Sequence, residues 1–311
     1  MKAVSLFSGC GGSDAGVIAA GFDVVMANDK LAYARDVYVA NQPATHYVLG
    51  DVAKITTFPA AELLLGCYPC QGFSQGGVRD PGRKINTLYL EFARALGQIK
   101  PKAFIVENVS GMVRRNFRHL LDDQIKVFTA AGYRVKAEVL NAADFGVAQD
   151  RRRIFIVGLR SDLGQDYAFP VPTHGGSAPQ VTIGQALTGM PDWPEGEFYA
   201  REFHWYYLSR DRRRGWDEVS KTIVANPRHM PLHPMSPPLV KREHNVWQFE
   251  GEGRARRFSY REAARLQGFA CGLAFPDTAA GSLDMRYKVV GNAVPPPLFT
   301  AVAAALPNVW D

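Results

Sequence analysis

A proline and a cysteine, Pro69-Cys70, stand in a loop of glycine, serine and glutamine, Gly66-Cys67-Tyr68-Pro69-Cys70-Gln71-Gly72-Phe73-Ser74-Gln75-Gly76-Gly77, directly after the apolar run 63–65. Such a run emptying into such a loop reads as a buried parallel strand that presents a thiol. Proline fixes the backbone before Cys70, and the glycines beyond leave the next segment free to move over whatever the thiol attacks. A cysteine in this setting is either a nucleophile or a small buried hydrophobe, and the rest of the chain decides between them. A second apolar run, 103–106, delivers Glu107-Asn108-Val109, and Gln149-Asp150-Arg151-Arg152-Arg153 opens a third, 154–159. A thiol and a carboxylate at neighbouring strand ends read as a nucleophile and a partner that handles protons. Arginines at the start of a buried strand beside them serve an anion or a carbonyl, with Gln149, Arg151 and Arg153 on one face and Asp150 and Arg152 on the other.

These groups need a scaffold that brings strand ends together, and the N-terminal half spells one. Residues 2–7 read as a strand, Ser8-Gly9-Cys10-Gly11-Gly12 as a tight turn and 13–20 as a helix. A second strand, 22–27, ends at Asn28-Asp29, a helix follows over 31–40, and a short strand, 47–49, closes at Gly50-Asp51-Val52. Helices are expected again at 88–99 and 117–131, with a strand at 133–140 between the latter and the arginine run. Alternating strands and helices predict a doubly wound α/β sheet, which binds ligands at the carboxyl ends of its strands. The glycine turn does not match G-x-G-x-x-G. Two carboxylates, Asp29 and Asp51, beside it point to a nucleoside-bearing cofactor whose reactive end is not a phosphate, and S-adenosylmethionine fits better than NAD.

With 311 residues the chain is long enough for a large and a small domain, and its formal charge of +6 favours a polyanionic partner. Four cysteines, Cys10, Cys67, Cys70 and Cys271, are too few for a disulfide scaffold. Cys67 and Cys70 form a C-x-x-C, which leaves a dithiol redox motif and a zinc half-site as alternatives, but no His-x-His or second C-x-x-C completes a site, so no metal is expected. No secretory signal and no stretch of membrane-spanning length is visible, so the expectation is a soluble, cytoplasmic protein. From residue 169 the composition turns to proline, tryptophan, histidine and arginine without strong periodicity, as in a smaller domain of short strands and loops. Ser259 and Glu262 have capping-box spacing at the head of a helix over 259–267, and further structure is expected at 287–292 and in a helix through 305.

In their order, these residues resemble the cytosine-5 DNA methyltransferases of bacterial restriction-modification systems. Leu6-Phe7-Ser8-Gly9-Cys10-Gly11-Gly12 is similar to their first cofactor motif, Pro69-Cys70-Gln71 to their nucleophile motif and Glu107-Asn108-Val109 to their base-binding motif. Gln149-x-Arg151-x-Arg153 resembles the arginine motif that follows, Arg261 to Phe269 the motif supporting target recognition, and Gly291-Asn292-Ala293-Val294-Pro295 the closing motif. The resemblance implies a Rossmann-like S-adenosylmethionine-dependent methyltransferase sheet, with a cofactor-binding and catalytic domain of residues 1–168 plus 285–311 and a smaller, irregular target-recognition domain of residues 169–284. It implies Cys70 as nucleophile, Glu107 on the exocyclic amine and ring nitrogen of a flipped-out cytosine, Asn108 fixing the cysteine loop, Arg153 on the ring carbonyl and Arg151 supporting the thiolate. For the cofactor, and its product S-adenosylhomocysteine, it implies Phe7, Gly9, Gly11, Asp29, Asp51, Val52 and Asn292. The family commonly has proline where Tyr68 stands.

The implied partner is double-stranded DNA, touched by Gln71, Ser74, Arg210, Arg212, Arg214 and Arg228, with a restriction endonuclease of the same specificity as candidate companion and a monomer as the expected state. The segment Ser209-Arg210-Asp211-Arg212-Arg213-Arg214-Gly215-Trp216, with Thr222 to Arg228 and Leu232-His233-Pro234, resembles the recognition region of GGCC-modifying enzymes. Arginine paired with guanine in the major groove is chemistry of that kind. Methylation of cytosine in transfer RNA and an inactive DNA-binding regulator on the same fold are the competing expectations.

Overall fold

A computed structural model of the chain describes residues 1–69, 87–176, 178–210 and 212–310. The apolar runs become β1 (Lys2–Leu6), β2 (Asp23–Asp29), β3 (His46–Leu49), β4 (Leu63–Gly66), β5 (Ala103–Val109), β6 (Tyr133–Asn141) and β7 (Arg152–Arg160). They form one sheet in the order β3-β2-β1-β4-β5-β7-β6. The first five are parallel, and β7 runs antiparallel to both β5 and β6. The reversal matters for function. It sets the start of β7 beside the carboxyl end of β5, with Val109 opposite Arg153.

The helices are, in chain order, α1 (Gly12–Ala19), α2 (Ala32–Asn41), α3 (Leu88–Ile99), α4 (Arg118–Ala130), α5 (Ile183–Ala186), α6 (Trp205–Leu208), α7 (Tyr260–Leu266), α8 (Leu283–Asn292) and α9 (Pro296–Ala304). Under the sheet, Phe92 of α3, Phe128 of α4 and Phe104 of β5 pack edge to face at 5.0–5.8 Å between ring centres. All three are fully buried, and each burial contributes roughly 1.5–3 kcal/mol. α9 lies close on α1, because a Cβ on Gly16 would sit 2.7 Å from that of Phe299. Only glycine admits that approach.

Two compact units result: Met1–Asn141 with Arg152–Val171 and Pro296–Asp311, and Ala142–Arg151 with Pro172–Pro295. The expected boundaries differ from these in three places: residues 169–171 fall in the first unit, and two longer stretches fall in the second. Residues 285–295 belong to the second unit, because Tyr287 donates to the Phe258 carbonyl at 2.7 Å and Gln267 to that of Val290 at 2.8 Å. Residues 142–151 belong there as well. Gln149 and Arg151 stand outside β7, and the Gln149 amide is held by Gln267 at 2.8 Å and by the Ile223 N–H at 2.7 Å. Exposure nevertheless alternates as expected, with Gln149 and Arg151 buried and Asp150 and Arg152 exposed.

The second unit carries one hairpin, β8 (Leu239–Glu243) and β9 (Val246–Phe249), and otherwise short helices and loops. Buried arginines, Arg256 and Arg257, join the apolar side chains in its interior. Arg257 lies 4.2 Å from the Phe203 ring centre and 4.7 Å from that of Tyr207, and donates to the Arg201 carbonyl at 2.8 Å. Among the described residues no helix is long and apolar enough to cross a membrane.

Candidate active site

The first edge of the site is the turn after β1. Phe7, with a side chain, takes φ 59, and Gly9 and Gly11 follow at φ 54 and 87. Left-handed backbone at a non-glycine residue is a strained choice that functional turns retain. The Gly9 N–H donates to one Asp29 oxygen at 3.1 Å and the Leu31 N–H to the other at 2.9 Å, so this carboxylate ties the turn to the end of β2. Burial pushes its pKa up, against the lowering effect of those backbone donors. With backbone donors from Gly9, Lys30 and Leu31 on it, the carboxylate keeps one acceptor position, enough to accept a hydroxyl.

Asn28 pins the neighbouring end of β3, donating to the carbonyls of Val48 at 2.8 Å and Gly50 at 3.1 Å. Asp51 accepts the Ala53 N–H at 3.0 Å, and the Val52 carbonyl accepts from Arg94 at 2.9 Å. The donor set fits a nucleoside carrying a sulfonium. Carboxylates at the ends of β2 and β3 accept hydroxyl and amine protons and repel a diphosphate, and Gly9 faces open space.

The second edge is built from β4, β5 and β7. Along β5, Glu107 and Val109 share a face and Asn108 takes the other. Arg153, opposite Val109, therefore meets Glu107 diagonally, and the two form an ion pair at 2.9 Å with side chains 15% and 10% exposed. Burial lowers the Arg153 pKa and the Glu107 charge opposes that shift, so the guanidinium keeps its proton. A carboxylate and a guanidinium held side by side present an acceptor next to a donor, the complement of a cytosine edge with its amine and ring carbonyl.

From the other face Asn108 donates to the Tyr68 carbonyl at 3.0 Å, two residues before Cys70. Tyr68 itself is buried. Its hydroxyl donates to the buried Gln124 of α4 at 2.6 Å, and its ring meets Phe7 and Phe92 at 5.8 and 5.9 Å. Here the departure from the family's usual proline has a structural counterpart that sequence reading missed.

Cys70, Gln71 and Ser74 lie outside the described residues. Of the remaining expected site residues, the first unit gathers Phe7, Gly9, Gly11, Asp29, Asp51 and Val52 at the ends of β1, β2 and β3, and Glu107, Asn108 and Arg153 at the ends of β5 and β7. Arg151 and Asn292 belong to the second unit. The hydrogen bonds of Arg151 run to the carbonyls of Ile223, Gly291 and Ala293 at 2.9–3.0 Å, a supporting task not foreseen from sequence. Cys67 is held well above the usual thiol range by burial and then by the Glu107 charge, which makes it a poor attacking thiol for the dithiol alternative. Among the described residues no cluster suits a metal.

The four arginines expected to touch DNA differ in exposure. Arg210 and Arg228 are exposed, whereas Arg212 donates to the His229 carbonyl at 3.1 Å over the Tyr207 ring, and Arg214 donates to the Arg213 carbonyl at 2.9 Å. A further buried carboxylate that sequence reading passed over, Asp14, accepts from Ser5 at 2.6 Å, Ser13 at 2.8 Å and Tyr38 at 2.7 Å, locking α1 and α2 behind the glycine turn.

Comparison with known proteins bears on all of this at once. Residues 1–308 match the family model of the C-5 cytosine-specific DNA methylases. The Type II methyltransferase M.BspRI of Lysinibacillus sphaericus is 39% identical over 300 residues, covering 92% of this chain and 70% of the relative. M.NgoPII of Neisseria gonorrhoeae is 35% identical, covering 100% and 96%. A solved structure of Spodoptera frugiperda DNMT2, a triple mutant, superposes with a TM-score of 0.66 at 18% identity over 96% of this chain and 97% of that one, a likeness of fold. A Rossmann-like sheet whose strand ends pair a carboxylate with an arginine, in a chain matched nearly end to end, leaves one conclusion: the protein belongs to the C-5 cytosine-specific DNA methylases and is a DNA cytosine-5-methyltransferase.

Proposed function

We propose that the enzyme methylates carbon 5 of a cytosine flipped out of a specific duplex sequence, through a covalent adduct to Cys70. The observation that carries this is the Glu107–Arg153 pair at the carboxyl edge of the sheet, with Asn108 gripping the strand end that leads to Cys70. Carbon 5 of cytosine is too weak a nucleophile to be alkylated directly. Addition of the Cys70 thiolate to carbon 6 turns the ring into an enamine, with Glu107 holding the amine and a protonated ring nitrogen while Arg153 donates to the ring carbonyl. Once carbon 5 carries the new methyl group, loss of its proton to a base expels Cys70 as thiolate and restores the aromatic ring. Asp29, Asp51 and the glycine turn would hold S-adenosylmethionine, whose sulfonium would supply the electrophilic methyl group and leave as the neutral thioether S-adenosylhomocysteine. A stacked base is out of reach of such a site, hence the flipping.

The relatives M.BspRI and M.NgoPII are named as Type II methyltransferases, which supports a sequence-specific enzyme; action in the bacterial cytoplasm, as a monomer and beside a cognate endonuclease, is part of the proposal. GGCC is the proposed target. Bisulfite sequencing of DNA from cells expressing the enzyme tests it: protected cytosines confined to GGCC are expected, and protection on a motif without adjacent guanines contradicts the specificity while leaving the chemistry standing.

A further inference from the structure

Within the second unit, four rings follow one another along the surface at α6. His204 lies 5.6 Å from Trp205, Trp205 5.8 Å from Tyr206 and Tyr206 6.0 Å from His229, centre to centre. Trp205 is 70% exposed and Tyr206 41%. A large aromatic side chain so far in water is a cost that contact with a partner removes. The row is backed by cations. The Arg210 guanidinium stands 5.4 Å from the Tyr206 ring centre, and the pKa of His229 is lowered by burial and then by the charges of Arg212, Arg257, Arg210 and Arg228. Arg210 and Arg228 are themselves exposed.

Exposed rings beside converging arginines are what a nucleic acid requires of a protein when a base leaves its stack: a flat surface for the π-face and positive charge for the flanking phosphates. The backbone supports the presentation. α6 is capped by His204, whose ring nitrogen accepts the Tyr206 N–H at 3.3 Å, and Tyr207, on the inward side, is buried and donates to the Met230 carbonyl at 2.8 Å. With Tyr207 anchored inward, its two predecessors are held outward.

We infer that Trp205 is a DNA-stacking residue: its indole lies against an unstacked base of the bound duplex, with Tyr206 extending the surface and Arg210 and Arg228 on the adjacent phosphates. The inference rests on the assignment of the chain as a DNA methylase and goes beyond the recognition arginines, none of which reads a base by stacking.

The test measures duplex binding by anisotropy for wild type, Trp205→Ala and Trp205→Phe, with thermal melting alongside and methyl transfer to DNA measured separately. Trp205→Ala is expected to weaken binding about tenfold or more, with Trp205→Phe retaining most of the affinity and neither shifting the melting midpoint. Duplex should quench indole fluorescence more in wild type than in Trp205→Phe, which keeps four other tryptophans. Equal affinity of Trp205→Ala and wild type would overturn the inference, and so would a change in sedimentation without a change in DNA affinity, which would mark the row as a protein contact. Wild type that binds duplex without methylating it would count against the catalytic assignment and leave the stacking result to be read on its own.

Discussion

At the scale of single residues, the site is a set of paired charges and one anchored backbone. Glu107 gives Arg153 the only ion-pair partner described for it, in a setting where both side chains are nearly out of water. Glu107→Gln keeps the shape and removes the charge, so single-turnover methyl transfer should fall about a hundredfold or more, the scale of lost proton handling. DNA binding should change little; a variant within a fewfold of the wild-type rate would remove Glu107 from the chemistry. Tyr68 offers a separate test. Tyr68→Phe leaves the buried Gln124 oxygen without the donor that reaches it at 2.6 Å, at a cost of about 1–3 kcal/mol read by denaturant unfolding. An unchanged midpoint would show that the bond contributes nothing. Neither partner of this bond announces itself in the sequence. A tyrosine before Pro69-Cys70 reads as a variant loop residue, and the glutamine that receives it lies 56 positions further on, in helix α4.

At the scale of elements, α7 shows how one side chain fixes a unit that is poor in regular structure. Glu262 accepts the Ser259 N–H at 2.7 Å, completing the capping box read from the sequence. The same carboxylate takes both ends of the buried Arg256 guanidinium, each at 2.7 Å, and lies 3.4 Å from His233. Only the cap was legible, because its partners are three residues apart; the pairing with Arg256 depends on burial that no local pattern encodes. Glu262→Ala should therefore cost about 3–5 kcal/mol, well beyond the roughly 1 kcal/mol of a lost cap, since it strands a buried arginine. A loss near the smaller figure would refute the buried pairing.

His233 is held at about 3 by burial and by the Arg256 charge, so it is neutral, its Nδ1 accepts the Met235 N–H at 3.2 Å, and the contact with Glu262 is a hydrogen bond from Nε2. A histidine whose folded pKa is depressed binds its proton in the unfolded chain first. Its contribution is thus complete above the ordinary value of 6.5 and is lost as the pH falls towards about 3. Melting of wild type against His233→Gln across that window should show the difference between them shrinking on acidification; a constant difference would contradict the assignment.

At the scale of the whole molecule, the strand and helix order of the first unit was legible almost throughout, because buried strands and amphipathic helices carry their periods locally. Helix α3 has the expected bounds, Leu88–Ile99, and β5 only runs on through Glu107 to Val109. The division into units was less legible. Gln149, Arg151 and Gln267 hold carbonyls far along the chain, which places 142–151 and 285–295 in the second unit, and only the assembled backbone shows those carbonyls converging. The central claim, covalent catalysis by Cys70 on a DNA cytosine, is open to one direct measurement: incubation with cofactor and a duplex carrying 5-fluorocytosine at the target, where fluorine replaces the carbon-5 hydrogen, so there is no proton to lose and the adduct cannot collapse. Wild type should form a denaturation-resistant protein–DNA complex, and Cys70→Ala should form none and lose methylation of ordinary duplex. A wild type that methylates yet is never trapped, or a Cys70→Ala variant that keeps a tenth of the rate, about 1.4 kcal/mol of barrier, would contradict the account.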